Sequence, residues 1–489
     1  MKNMLISIAV NSALAALAMA QRQPRYVITD LGPAGNPFAQ ATALNNTGVI
    51  TGVATAPNGT QHAVVWYKGT MTDISQPGLG GPNIGAFGVN GKGQIVVEAE
   101  TQAKDPFDEN FCGYGPDSSG TIHRCLGALW QDGVLSPLPT LGGVNSSINA
   151  INNRGEMAGT AENNLRDLGC SPNPMVNGTG PFLFDFEAVI WGPMPGQIRQ
   201  LSPLGGDTVA DAMAINDNGQ AVGLSGLCSN TLLPPFVAGP HAVLWESDGS
   251  VHDLGTLGGT VNPEILGVGN AALAINSRGE VVGTSALVGN MVHHPFLWTK
   301  QTGMQDLGVL EGDMIGAGLA INNQRDVVGA SVGGPTPFDN PRAALWSNGE
   351  KFDLNELVVG SSPLYLLTAF GINDAGQIVG FGADDSGNVH GFLATPTQTK
   401  AQAGPKDITI TLKSIQLDGT ESTSEDGKPL SYFWSIPPGS PSAAISGANT
   451  ATPTVTFTMV RGTYTFQLVV TDSTGKTATD VATVNFLGK

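Results

Sequence analysis

The sequence predicts an all-β protein: a seven-bladed β-propeller closed by its own N-terminal strand, followed by a second, smaller β-sandwich. Three observations predict it. A short phrase recurs seven times, six of the seven tryptophans fall at one position of that repeat, and the repeat region ends one strand short of a full unit while it begins with an orphan strand.

The phrase is small-apolar, Asn, two residues, Gly, an apolar pair and another Gly. Its copies are anchored on Asn45, Asn90, Asn152, Asn216, Asn276, Asn322 and Asn373, spaced 45, 62, 64, 60, 46 and 51 residues apart. A period of this size denotes an array of small supersecondary units. In the fifth unit Ala272-Leu273-Ala274-Ile275-Asn276 reads as one strand and Glu280-Val281-Val282-Gly283-Thr284 as its neighbour. The Asn-Ser-Arg-Gly between them is a hairpin turn: Asn bonds back to the turn backbone, and Gly accepts the positive φ. Third and fourth strands follow at His294-Pro295-Phe296-Leu297-Trp298 and Met304-Gln305-Asp306-Leu307-Gly308.

Trp66, Trp130, Trp191, Trp245, Trp298 and Trp346 all close the third strand, where a large aromatic packs one unit against the next. The seventh unit stops after its third strand, with Ala394 in place of Trp. The chain meanwhile opens with an unaccompanied fourth strand, Tyr26-Val27-Ile28-Thr29-Asp30-Leu31-Gly32. Pairing the two closes a ring and satisfies edges that would otherwise lie bare.

Composition agrees. There are 66 Gly and only 13% charged residues, as in a turn-rich β protein. A net charge of −18 argues against nucleic acid and anionic membranes as partners. Residues 1–20 read as a secretory signal, with Lys2, an apolar stretch and Ala18-Met19-Ala20; no later run is long enough to span a membrane. The mature chain is expected to be secreted, extracellular or periplasmic, and monomeric. The domains follow: signal peptide 1–20, propeller 21–396, linker 397–406, sandwich 407–489.

The phrases Asp-Leu-Gly, Ala-Ile-Asn-x-x-Gly-x-Val-Val-Gly and His-Ala-x-Leu-Trp resemble the HAF family of extracellular repeat proteins, over residues 25–396. The resemblance implies an exported propeller-like protein and no particular reaction. Beyond the linker, Leu417-Asp418-Gly419-Thr420, Leu430-Ser431-Tyr432-Phe433-Trp434 and Gly462-Thr463-Tyr464-Thr465-Phe466 with Val470-Thr471-Asp472 resemble the PKD domain. That implies an immunoglobulin-like sandwich with Trp434 in its core, serving as a spacer or contact module.

No GxSxG, HExxH or P-loop is present. His62, His241, His294 and His390 sit one per unit, as do Asp30, Asp253, Asp306 and Asp353, so they read as scaffold rather than as a metal or acid–base site. What differs between units is more telling. Units 2, 3 and 4 carry insertions near 99–126, 161–187 and 226–240, which hold all four cysteines. The expected disulfides are Cys112–Cys125 within one loop and Cys170–Cys228 between neighbouring loops. The first two insertions are rich in acids and aromatics, including Phe182, Phe186 and Glu187. Phe107, Asp108, Tyr114, Phe184 and Asp185 are the candidate ligand contacts, through stacking on rings and bonds to hydroxyls. No cofactor is expected, although Asp384-Asp385-Ser386-Gly387-Asn388 could hold calcium as well as form a plain turn. The function read from this is non-enzymatic binding or adhesion, with a glycan or protein on the loop face. The alternative is a polysaccharide hydrolase or lyase using the acidic loop residues.

Overall fold

The computed structural model describes residues 24–32, 38–167, 170, 184–231, 239–260, 269–289, 292–334, 339–425, 428–458, 461–473 and 475–488. The proposed signal peptide, residues 1–20, lies outside them. Among the described residues there is no α-helix, only strands and two short 3-10 turns. The chain divides into two compact units: residues 28–356 with 363–394, and residues 395–489 with two short segments.

The larger unit is built from seven open four-stranded sheets. Six are consecutive meanders, spanning residues 39–73, 80–137, 146–200, 209–253, 271–306 and 315–353. The seventh joins Tyr365–Ile372, Ile378–Ala383 and Val389–Pro396 to the first strand of the chain, Tyr26–Asp30, at its outer edge. All six repeat tryptophans lie in the third strand of their sheets. Four donate their indole N–H to the connection from the preceding sheet: Trp66 to Leu31 O, Trp191 to Pro139 O, Trp245 to Ser202 O and Trp346 to Gly308 O, at 2.7–2.9 Å. Packing between sheets and a directional bond thus come from one residue.

The repeated Asn does two jobs. Its Oδ1 accepts the N–H groups two and four residues on, as in Asn216 to Asn218 and Gln220 at 3.0 and 3.1 Å, which fixes the turn. Its Nδ2 reaches the carbonyl of the next Asn. These bonds run from Asn45 to Asn90, Asn152, Asn216, Asn276, Asn322 and Asn373, and from Asn373 back to Asn45, at 2.9–3.3 Å. All seven Asn are buried, so each replaced amide would leave buried backbone unsatisfied.

In every sheet the ladder between the first two strands slips by one residue just before the Asn, for example between Ala272 and Ala274. This bulge brings the backbones close, which accounts for the recurring Gly of the second strand. The His–Asp pairs tie third to fourth strands: His62–Asp73, His241–Asp253, His294–Asp306 and His390–Asp30, at 2.7–3.1 Å. The sixth sheet replaces His with Arg342 and keeps the pair to Asp353 at 3.2 Å. Arg325 occupies the sixth turn with φ 74°, a region where its relatives use Gly, and its guanidinium holds Glu280.

The smaller unit has a four-stranded sheet, ordered Ile408–Ile410, Thr477–Phe486, Gly462–Thr471, Ser431–Ser435, and a three-stranded sheet, ordered Ser414–Gln416, Thr454–Phe457, Ala443–Ser446. Trp434, Tyr464, Phe466, Phe457 and Phe486 fill its core, with Phe457 stacked on Phe486 at 4.8 Å. Part of the segment read from composition as a linker belongs to this core. Lys400 pairs with Thr423 and Gly404 with Asp418, and Ala401 and Ala403 are buried. Small residues were needed there for packing, not for flexibility.

Candidate functional site

The insertions emerge where the second and third strands of sheets 2, 3 and 4 meet. Disulfides join Cys112 to Cys125 and Cys170 to Cys228, and no described cysteine is free. All four gather in one apolar cluster with Phe111, Phe186 and Val209. Bridged loops of this kind lose little entropy on forming a surface.

The candidate contacts separate into three environments. Phe107 and Phe184 come together, ring centroids 5.1 Å apart and edge to face, with Phe107 41% exposed. Asp185 meets Asp167 instead, their carboxyl oxygens within 4.8 Å, beside Cys170. Consecutive residues of a strand leave on opposite faces, which is why Phe184 and Asp185 do not share a partner. Asp108 is exposed at positive φ (58°) and pairs with Lys104 at 2.9 Å. Tyr114 lies half-buried, its hydroxyl donating to Glu98 O at 3.4 Å, so it supports the loop from within. Phe182 lies outside the described residues.

Beneath these loops lies a set of buried acids: Glu98, Asp105, Glu109, Glu162, Glu187 and Asp211. Asp105, Glu109, Glu162, Glu187 and the partner acid Asp167 fall within the acidic insertions, whereas Glu98 and Asp211 lie outside them. The signal was present, since Glu98 stands in a second strand where the fifth sheet has Thr284 and Glu162 where it has Ala286. Asp211 Oδ1 accepts Asn149 Nδ2 at 2.9 Å, and Asn163 donates to Glu187 at 3.2 Å. Burial pushes the Glu98 carboxyl up to about 8 and those of Glu162, Glu187 and Asp211 up to about 7. Burial and the charge of Asp167 raise Asp185 to about 6.

These shifts set a pH dependence. Each raised group stabilises the fold while protonated, fully below the ordinary carboxyl range, and that stability is lost as pH climbs through about 6 to 8. Asp253 and Glu280 are lowered by their His and Arg partners and act in the opposite sense, losing stability only in stronger acid. At ~1.4 kcal/mol per pKa unit the buried set dominates. The melting temperature is expected to peak near pH ~5 and to fall by at least about 5 °C toward pH ~9. A scanning calorimetry series that is flat over this range would refute it.

Among the described residues, two groups of three could be taken for metal ligands, Glu98 with Cys112 and Cys125, and Asp167 with Cys170 and Asp185. Both include disulfide sulfurs, which are not thiolates. Asp384, the candidate calcium residue, spends its carboxylate on Ser386 N, Asn388 N and Asn388 Nδ2 at 2.8–2.9 Å and so shapes a hairpin turn.

The smaller unit defines a class. Residues 403–486 match the family described as K319L-like, PKD domain, so this end of the chain is a PKD domain. Among curated proteins it is similar to the dyslexia-associated protein KIAA0319-like protein of Mus musculus, 41% identical over 86 residues, which is 17% of this chain and 8% of that protein. The chain therefore spans less than a tenth of the length of that relative. Among solved structures, the PKD domain from KIAA 1837 protein is 30% identical and covers 19% of this chain and 88% of its own, with a TM-score of 0.17. A Mycobacterium tuberculosis puromycin-hydrolyzing peptidase covers 83% of this chain and 63% of its own at 13% identity and a TM-score of 0.44. No described helix is long and apolar enough to cross a membrane.

Proposed function

We propose that the seven sheets are the blades of a closed β-propeller of the HAF-repeat type, and that the protein is a secreted, non-enzymatic binding or adhesion protein. Its insertion-loop face contacts a glycan or protein ligand, and the PKD domain acts as spacer or second contact. The cyclic run of Asn-to-Asn bonds and the recruitment of residues 26–30 into the last sheet support the closed ring. The disulfides and the PKD domain fit an oxidising, extracellular setting.

The observation that carries the binding reading is the half-exposed Phe107 ring braced edge-on by Phe184 on a doubly disulfide-tied loop face. An aromatic held open and stationary is what stacking on a sugar face or an apolar side chain requires. The acids do not favour hydrolysis of glycosides. Asp167 and Asp185 lie side by side, with carboxyl oxygens within 4.8 Å; burial and the charge of Asp167 raise the proton affinity of Asp185, while Asp108 is engaged by Lys104.

Glycan-array and immobilised-protein binding tests this with wild type and Phe107→Ala. Saturable binding weakened at least about tenfold by the substitution is expected. Product release from any polysaccharide, abolished by changing Asp108 or Asp185, would replace this reading with the hydrolase or lyase.

A further inference from the structure

Asp105, Glu109 and Glu162 are fully buried where the insertion of the second sheet meets the third. Asp105 Oδ1 accepts the N–H groups of Phe107 and Glu109 at 2.8 and 3.0 Å, and its Oδ2 accepts the Asn145 side-chain amide at 2.9 Å. Asn145 N and Val144 N donate to Glu162 Oε2 at 2.7 and 3.1 Å, while Asn145 Oδ1 takes Cys125 N at 2.9 Å. Each of these donors to Asp105 and Glu162 is an uncharged amide. Glu162 Oε1 is buried and receives no N–H. Glu109 Oε2 is buried in the same way and receives no N–H, and the two carboxyls lie close enough for a shared proton to join them.

Two carboxylates so placed cannot both be ionised, because like charges repel strongly away from water. A proton held between them resolves the conflict, one carboxyl donating its O–H to the other. Calcium resolves it poorly: both Asp105 oxygens and Glu162 Oε2 already serve N–H donors, leaving too few oxygens for six to eight ligands.

We propose that Glu109 and Glu162 form a proton-operated latch, which holds the 105–111 loop against the third sheet while they share a proton and releases it when both are ionised. The groups around the pair oppose ionisation. Asp105 adds a like charge from the loop, and Phe186 on the adjacent strand lies opposite Glu162 and offers no donor. Arg124 is the cation on this side; it directs its Nε–H to the Val144 carbonyl at 2.5 Å rather than to either carboxyl, and its charge works against the other groups. Burial accordingly raises Glu162 to about 7, so release falls between mild acid and mild base. Phe107 rides on this loop, so on the binding reading above the latch sets whether the aromatic pair is assembled.

Hydrogen exchange of the full chain tests the latch without any ligand, so its failure is distinct from failure of the binding reading. Protection factors of the Phe107 and Glu109 amides are expected to fall at least about tenfold from pH ~5 to pH ~8.5 in wild type. Glu162→Gln supplies a permanent donor toward Glu109 and should hold the loop at both values; Glu109→Gln is the second variant should the first not fold. Unchanged protection in wild type, or an undiminished pH response in the folded variant, overturns the proposal. Protection at pH ~8.5 that a chelator removes and calcium restores also overturns it, in favour of a bound cation.

Discussion

Deleting residues 26–32 is expected to lower the melting temperature by on the order of 10 °C. Tyr26 and Leu31 are 3% and 6% exposed, and burying such side chains stabilises by roughly 1.5–3 kcal/mol each. Leu31 also lends its carbonyl to the indole of Trp66 at 2.8 Å and its N–H to Gly391 O at 2.8 Å, and Asp30 pairs with His390. The deletion therefore strips the outer strand from the seventh sheet and unsatisfies the tryptophan of the first. Thermal unfolding measured by circular dichroism checks it. An unchanged transition would refute the closure proposed for the ring.

Gly283→Ala should cost about 3 kcal/mol or more, a large effect for one methyl group. A Cβ built there would lie 1.9 Å from the Ala271 carbonyl oxygen and 3.0 Å from the Ala272 Cα. Both are backbone, so no side chain can swing aside, and the bulged strand itself must move. The same approach recurs at Gly223, Gly329 and Gly380, each 1.9 Å from a first-strand oxygen. The second sheet holds Val97 opposite Ala86, so the clash is set by how closely the two strands approach in a given sheet. Gly255→Ala is the control: it has φ +79° but open space around it, and should cost only about 1 kcal/mol. Urea unfolding of the two variants gives the comparison. Equal destabilisation would mean that backbone conformation, not the close approach, explains the repeated glycine.

The repeat made most of the scaffold legible. Strand order, the turn role of Asn, the phase of the tryptophans and the sandwich core around Trp434 all follow from local periodicity and turn chemistry. So does the recruitment of the first strand, because an orphan strand and an incomplete sheet answer each other. What could not be read was set by distance in space. The second bond of each Asn spans 45 to 64 residues forward, or 328 back, and no local pattern encodes the neighbour it finds.

The loop face was legible in outline only. Cysteine position along the chain suggested both bridges, because one pair lies within a single insertion and the other in the insertions of neighbouring units. The acidic and aromatic residues of those loops were read as one surface, yet strand alternation sent Phe184 to Phe107 and Asp185 to Asp167, and turned Tyr114 inward. Sequence alone determined that this chain is a run of repeated four-stranded sheets followed by a second β unit, because hydrophobic alternation and turn residues are local properties; the PKD character of that unit came from its motif resemblance. Only the tertiary structure decided which carboxyls are buried against one another, since their shifted proton affinities come from lost water and from neighbours that lie on other sheets.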